Sequence, residues 1–314
     1  MSDLTRQQSQ PRSSPHGSKH SIAIKSAILL CILALGTVFA LSAFIGWSLT
    51  HPDRRPVDST PAAWGLAYEP VSFTSRIDNL LLQGWVIPAA NSRLTVIAAH
   101  GYGRNRLQDD VPLLPIVQVL VSQGCNVVLF DFRNSGESAG TVTSIGQYEI
   151  RDLLGAVDFA RSRPELNRPI ILYGFSMGAA TALIAGAQEP AVAAVIADSP
   201  FADLNSYLRE NLSIWSRLPA IPFNATILAL SPLLTGLDTA QVSPLKAIPG
   251  FRNRRVLLIH GEADIDIPLA NSERLQEQYP AAELLRVPGA VHVGAFRQDS
   301  NAYLTAVIRF LDQL

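Results

Sequence analysis

The sequence has little cysteine and little charge. Its two cysteines, Cys31 and Cys125, are too few for a disulfide framework. One lies in an apolar N-terminal run and the other just before an apolar strand, so no pairing is expected. No Cys/His spacing resembles a zinc site. No glycine-rich loop of the phosphate-binding kind appears either, so neither metal nor cofactor is expected. Charged residues make up 16% of the 314 positions and the formal net charge is -1. Nucleic-acid binders usually carry a clustered basic footprint, and this chain has none, so no nucleic-acid partner is expected. There are no internal repeats. Low charge with a hydrophobic content of 48% points to a membrane segment or a heavily buried sheet.

The sequence points to a membrane segment. From Ser26 to Leu49 there are 24 positions without a charged residue. A helix of about 20 apolar residues crosses the hydrocarbon core. Trp47 falls near one end, where amphipathic aromatics collect at the interface. The run shows no amphipathic stripe and is too long for a buried core helix. A cleaved signal peptide has a shorter apolar core, and Ala40-Leu41-Ser42-Ala43 is a weak cleavage site. A retained single-span anchor is therefore favoured. Arg6, Arg12, Lys19 and Lys25 precede the span, whereas Arg54 and Arg55 follow it. That bias predicts that the large C-terminal domain is extracytoplasmic. Residues 1–21 read as a disordered polar tail, 22–50 as the anchor and 51–62, with three prolines, as a linker. The folded domain is expected over 63–314.

Within that domain short apolar runs alternate with helix-compatible stretches. Leu94–Ala99, Asn126–Phe130, Pro169–Tyr173, Val192–Ala197, Arg255–Ile259 and Ala282–Val287 read as strands. Uninterrupted apolar strands suit a sheet buried on both faces, and strands alternating with helices imply a mostly parallel one. The segments near Val71 and Gly84–Val86 read as earlier strands, at an antiparallel edge. Residues 211–250 break the rhythm with five prolines among Trp215, Leu218, Ile221, Phe223 and Leu230. This stretch reads as a short cap lining an apolar pocket.

The chemistry centres on Gly174-Phe175-Ser176-Met177-Gly178, which follows an apolar strand and opens an alanine-rich helix. A serine on a strand-to-helix turn holds its hydroxyl above the sheet as a nucleophile. The residue after it, Met177, offers a main-chain N–H to a developing oxyanion. Serine needs a base. Of six histidines, His16 and His20 lie in the tail and His51 beside the anchor. His100 and His260 each end an apolar strand. His292 lies in a loop after the last strand, where it can reach over the serine, and is the expected base. The base needs an orienting carboxylate. The segment His260–Pro268 supplies Glu262, Asp264 and Asp266, and position alone does not choose among them.

Several ordered motifs join this one: His100-Gly101-Tyr102-Gly103, Asp131-Phe132-Arg133-Asn134-Ser135-Gly136-Glu137-Ser138, Asp198-Ser199-Pro200-Phe201 and His260-Gly261-Glu262-Ala263-Asp264. Together they make residues 94–314 resemble the α/β-hydrolase superfamily. Within it they are most similar to membrane-tethered or lipid-facing serine hydrolases akin to monoacylglycerol and lysophospholipid lipases. The resemblance implies an α/β-hydrolase fold, with Asp264 as the acid; Asp198, at the end of another strand, is the alternate. The resemblance makes the N–H of Tyr102 the second oxyanion donor. His100 and His260 become structural, and Asp131–Ser138 becomes scaffolding, with Gly136 in a positive-φ turn and Arg133 anchoring loops. The apolar 211–250 segment and the anchor fit an ester or thioester with an apolar acyl group, hydrolysed through a Ser-His-Asp triad and an acyl-enzyme. An aminopeptidase-like peptidase shares the fold and triad order. An inactive membrane-tethered binding protein is the alternative outside enzymology. A haloalkane dehalogenase is disfavoured, because its nucleophile is an aspartate.

Overall fold

A computed structural model describes residues 16–314, with side chains from residue 21. The first 15 residues of the expected polar tail lie outside that range. The strands are β1 Glu69–Thr74, β2 Leu81–Ile87, β3 Leu94–Ala99, β4 Cys125–Phe130, β5 Ile170–Phe175, β6 Val192–Asp198, β7 Arg255–Gly261 and β8 Glu283–Val287. They form one sheet in the order β1-β2-β4-β3-β5-β6-β7-β8. β1 and β2 run antiparallel at one edge, as expected, and β3 to β8 are parallel to one another. The helices are α1 His16–Thr50, α2 Leu113–Ser122, α3 Glu149–Ser162, α4 Met177–Gln188, α5 Leu204–Ser216, α6 Ala220–Thr235, α7 Pro244–Ala247, α8 Ala270–Gln278, α9 Ala295–Gln298 and α10 Ser300–Leu311.

The continuous apolar strands are buried because helices cover both faces. Successive side chains of a strand point to opposite sides. Ile97, Phe130 and Leu172 accordingly join α3 and α4 in one core, while Val96, Leu129 and Tyr173 join α2 and α10 in the other. Each fully buried leucine or isoleucine contributes roughly 1.5–3 kcal/mol relative to exposure.

Two buried ion pairs brace the strand ends. Arg106 donates to Asp131 from its main-chain N (2.7 Å) and from its guanidinium, and Arg133 donates to Asp152 from its main-chain N (3.0 Å) and twice from its guanidinium (2.7 and 2.9 Å). Arg133 therefore anchors loops, as expected. Gly136 has φ +44°, and a Cβ there would lie 2.2 Å from the Asp131 carboxylate. It is both a turn glycine and the clearance for that ion pair.

Three expected boundaries shift. The N-terminal helix begins at His16, inside the expected polar tail. A helix already formed over an apolar run extends easily, because each added residue gains a hydrogen bond. The expected 51–62 linker is not free. Arg54 donates to the carbonyls of Ser138 and Gly140, Arg55 pairs with Asp109, and Asn105 donates to the Pro56 carbonyl. Its prolines fix an extended path, and its arginines bind that path to the domain. The cap begins with α5 at Leu204 and not at residue 211, because Asp203 caps the helix by accepting from the Ser206 N–H. Ser21–Thr50 is long and apolar enough to cross a membrane, and equally fits a signal sequence.

Candidate active site

The C-terminal ends of β3, β5, β7 and β8 meet at one rim of the sheet. In parallel α/β sheets this rim is where ligands bind. β5 ends in a tight turn into α4. Ser176 sits at its apex with φ 53° and ψ -118°, and its side chain makes no capping bond to α4. The hydroxyl is thus free to face the rim. The turn survives because its glycines leave room. A Cβ on Gly178 would lie 2.1 Å from the Ala99 carbonyl and 2.5 Å from that of His100. One on Gly174 would lie 2.2 Å from the Gly178 carbonyl. Both obstacles are main chain and cannot swing away. Gly178→Ala is expected to lower unfolding free energy by at least about 2 kcal/mol in a urea titration. A loss under about 0.5 kcal/mol would show that α4 can back off from β3 at little cost.

The loop after β8 carries His292 to Ser176, with Nε2 2.9 Å from Oγ. On the other side Nδ1 is 2.7 Å from Asp264 Oδ2. An ionised carboxylate only accepts, so Nδ1 carries the proton. Nε2 is then left as an acceptor for the serine hydroxyl. The acid loop is itself fixed. Asp264 Oδ1 accepts from the N–H groups of Asp266 (3.0 Å) and Ile267 (2.8 Å), and the Ala263 N–H binds the Ala290 carbonyl (2.9 Å). Burial works against the Asp264 carboxylate, yet hydrogen bonds from His260 and His292 prevail and hold its pKa down at about 2. For His292 burial opposes the charged form, and the Asp264 hydrogen bond and charge outweigh it, so its pKa is raised above 6.5.

Ser176 opens into an apolar pocket. Met177 and Tyr102 stand beside the serine, and the rest is largely walled by α5 side chains, including Leu204, Tyr207, Leu208 and Trp215. The Tyr102 loop passes close, since a Cβ on Gly101 would lie 3.5 Å from Ser176 Cβ. Tyr207 fastens α5 to the acid loop. It donates to the Asp266 carbonyl (2.9 Å) and accepts from the Trp215 indole (2.8 Å).

Comparison with known proteins places the fold. Residues 90–243 match the protein-family model described as serine aminopeptidase, S33. The chain is 31% identical over 236 residues to the uncharacterized protein YqkD of Bacillus subtilis, covering 74% of this chain and 76% of that one. It is 30% identical over 311 residues to the uncharacterized protein YfhR of Salmonella typhimurium, covering 93% and 94%. The fold overlays the structure of Pyrococcus furiosus esterase Pf2001 with a TM-score of 0.70 at 27% identity, covering 84% of this chain and 98% of that one. The chain belongs to the α/β-hydrolase superfamily.

In this hydrolase the remaining residues singled out from sequence have defined places. Glu262 is exposed and Asp264 is buried, which separates two acids that position could not. Asp198 is buried away from the imidazole. It accepts from Tyr303 (2.9 Å) and from Ser199 (2.9 Å). Burial pushes its pKa up to about 6, against those two hydrogen bonds. Ser199 in turn accepts from the Val293 N–H (3.2 Å), so this buried group supports the His292 loop. His100 bridges strand ends, with Nδ1 on the Gly101 carbonyl (2.8 Å) and Nε2 accepting from the Phe132 N–H (2.9 Å). His260 lies against Ser272 Oγ and the Ile267 carbonyl, both at 2.7 Å.

The expected cap residues fare unevenly. Of the five apolar side chains singled out over 211–250, Trp215 lines the pocket, whereas Ile221 points to solvent at 88% exposure. The missed residues of the α5 wall, Leu204, Tyr207 and Leu208, precede residue 211. Leu204, Tyr207, Leu208 and Trp215 recur at helical spacing, which puts them on one face of α5. That spacing was a readable signal. Leu49, at the end of α1, also lines the pocket, and no local pattern announces it.

Proposed function

We propose that this protein is a membrane-anchored serine hydrolase that cleaves a carboxylic ester or thioester with an apolar acyl group. The observation that carries the reading is the hydrogen-bonded chain Ser176–His292–Asp264 at the mouth of an apolar pocket. His292 takes the proton from Ser176 as Oγ attacks the carbonyl carbon. The main-chain N–H groups of Met177 and Tyr102 receive the oxyanion, an effect worth about 3–4 kcal/mol per donor removed in comparable sites. The protonated imidazole gives its proton to the leaving alcohol or thiol. Water, activated by the same histidine, then releases the acid from the acyl-enzyme.

A neutral apolar acyl group fits the walls. Among the described residues that line the pocket none is acidic, so nothing there would hold the ammonium of an aminopeptidase substrate. Similarity to an esterase supports the same choice. The anchor reading draws on the apolar length of α1 and on the exposed Ile214, Ile221, Leu233 and Leu234 of the adjacent α5–α6 pair. Exposed apolar side chains of this kind suit contact with lipid. The basic bias ahead of the span favours a domain on the extracytoplasmic side.

The test is fluorophosphonate labelling of the full chain in detergent, followed by a p-nitrophenyl ester series. Absence of labelling in folded protein would favour a binding protein on a hydrolase fold. The pH profile is a second check. The base must be neutral to work, so kcat/KM for an uncharged ester should rise with pH through the raised His292 pKa, giving an acid limb above pH 6.5. A limb centred below pH 6 would contradict the Asp264–His292 pairing.

A further inference from the structure

Leu49 belongs to the last turn of α1, yet its side chain stands in the same pocket as Ser176. Four contacts hold that turn on the domain. Tyr102 donates its phenol hydrogen to the Leu49 carbonyl (2.8 Å), and the Thr143 N–H donates to the Thr50 carbonyl (2.8 Å). α6 packs along the same turns, with Ser231 Oγ 3.1 Å from where a Gly46 Cβ would sit. Ile45 and Leu49 also lie against the core that contains α4 and α5. The end of the helix is therefore set into the domain and does not lead away from it as a tether.

Resting on the acyl-hydrolase reading above, we propose that the last turn of α1 is a wall of the acyl pocket and that Leu49 sets the length of acyl chain accepted. The wall is built from two distant parts of the chain. α5 supplies one side through Leu208 and Trp215, and α1 supplies Leu49. Tyr102 links this wall to the serine's own surroundings, because one residue holds Leu49 through its side chain and borders Ser176 in the pocket. An extended acyl chain leaving the Ser176 carbonyl adduct runs between these sides toward the apolar length of α1. A larger side chain at 49 blocks that path, and a smaller one lengthens it.

The experiment uses the full chain in lipid nanodiscs and compares kcat/KM on p-nitrophenyl butyrate and decanoate for wild type, Leu49→Trp, Leu49→Ala and Phe44→Ala. Phe44 lies on the same helix but is 62% exposed, so it controls for a general change in the anchor. Leu49→Trp is expected to lower the decanoate-to-butyrate ratio at least about tenfold, the size of effect a small misfit has in an apolar pocket. Leu49→Ala is expected to raise the ratio, and Phe44→Ala to leave it within twofold. Rates of inactivation by short- and long-alkyl fluorophosphonates give the same comparison without turnover. Ratios unchanged in both folded Leu49 variants, with Ser176 still labelled, overturn the proposal and leave the hydrolase reading intact. A shift of equal size in Phe44→Ala also overturns it. Wild type that neither labels nor hydrolyses any ester overturns the hydrolase reading itself, and this proposal with it.

Discussion

Ser176→Ala is expected to lower kcat/KM on any accepted ester by about 10⁴–10⁶-fold and to abolish fluorophosphonate labelling. The effect is this large because nothing nearby replaces the lost Oγ. Among the described residues the hydroxyl's hydrogen bond is to His292 alone. Ser199, the next hydroxyl in sequence with a comparable strand-end position, is committed to Asp198 and Val293. The same isolation predicts little change in stability. Oγ does not cap α4, and alanine keeps the backbone shape that the glycines permit. Thermal unfolding should shift by less than about 1 kcal/mol equivalent, so the loss is readable as chemistry and not as unfolding. Activity retained above one hundredth of wild type in the folded variant would assign the nucleophile elsewhere.

Asp264→Asn is expected to cost about 10⁴-fold in kcat/KM while the fold persists. The asparagine carbonyl can keep the two N–H bonds from Asp266 and Ile267, so the loop retains its shape. Its amide then faces His292 Nδ1, now as a donor. The imidazole must turn Nδ1 into the acceptor and place its proton on Nε2, toward Ser176. In that tautomer it cannot take the serine proton. It also loses the charge that raises its pKa, so the acid limb of any residual activity should move to lower pH. The measurement is the pH dependence of kcat/KM for both proteins. A loss under about 100-fold would give the orienting role to a second carboxylate. Asp198 is the alternate at another strand end, and its commitment to Tyr303 and Ser199 argues against it.

The geometry of the elbow was legible in the sequence. A serine between two glycines, at the junction of an apolar strand and an alanine-rich helix, can be read locally because the turn imposes local demands. Gly174 and Gly178 are required by main-chain crowding within a few residues. The alternation of buried strands with helices was legible for the same reason. Strands covered on both faces hold few polar residues, and that leaves a nearly continuous apolar signature. The choice among Glu262, Asp264 and Asp266 was different. All three lie within five positions, and only the path of the loop decides which carboxylate turns inward to accept two main-chain N–H groups and the imidazole.

The sequence by itself determined the strand–helix alternation, the elbow serine and the long apolar N-terminal helix, because each depends on composition or on spacing within one element. Tertiary structure decided what crosses between elements. It buried Asp264 and left Glu262 exposed. It tied the proline-rich segment after α1 to the domain through Arg54 and Arg55. It moved the pocket wall upstream to Leu204 and brought in Leu49 from the end of α1. Residues 49 and 176 share no period and no motif. Their meeting depends on where α1 ends relative to the sheet rim, and that is fixed by hydrogen bonds from Tyr102 and Thr143, each far away in the chain.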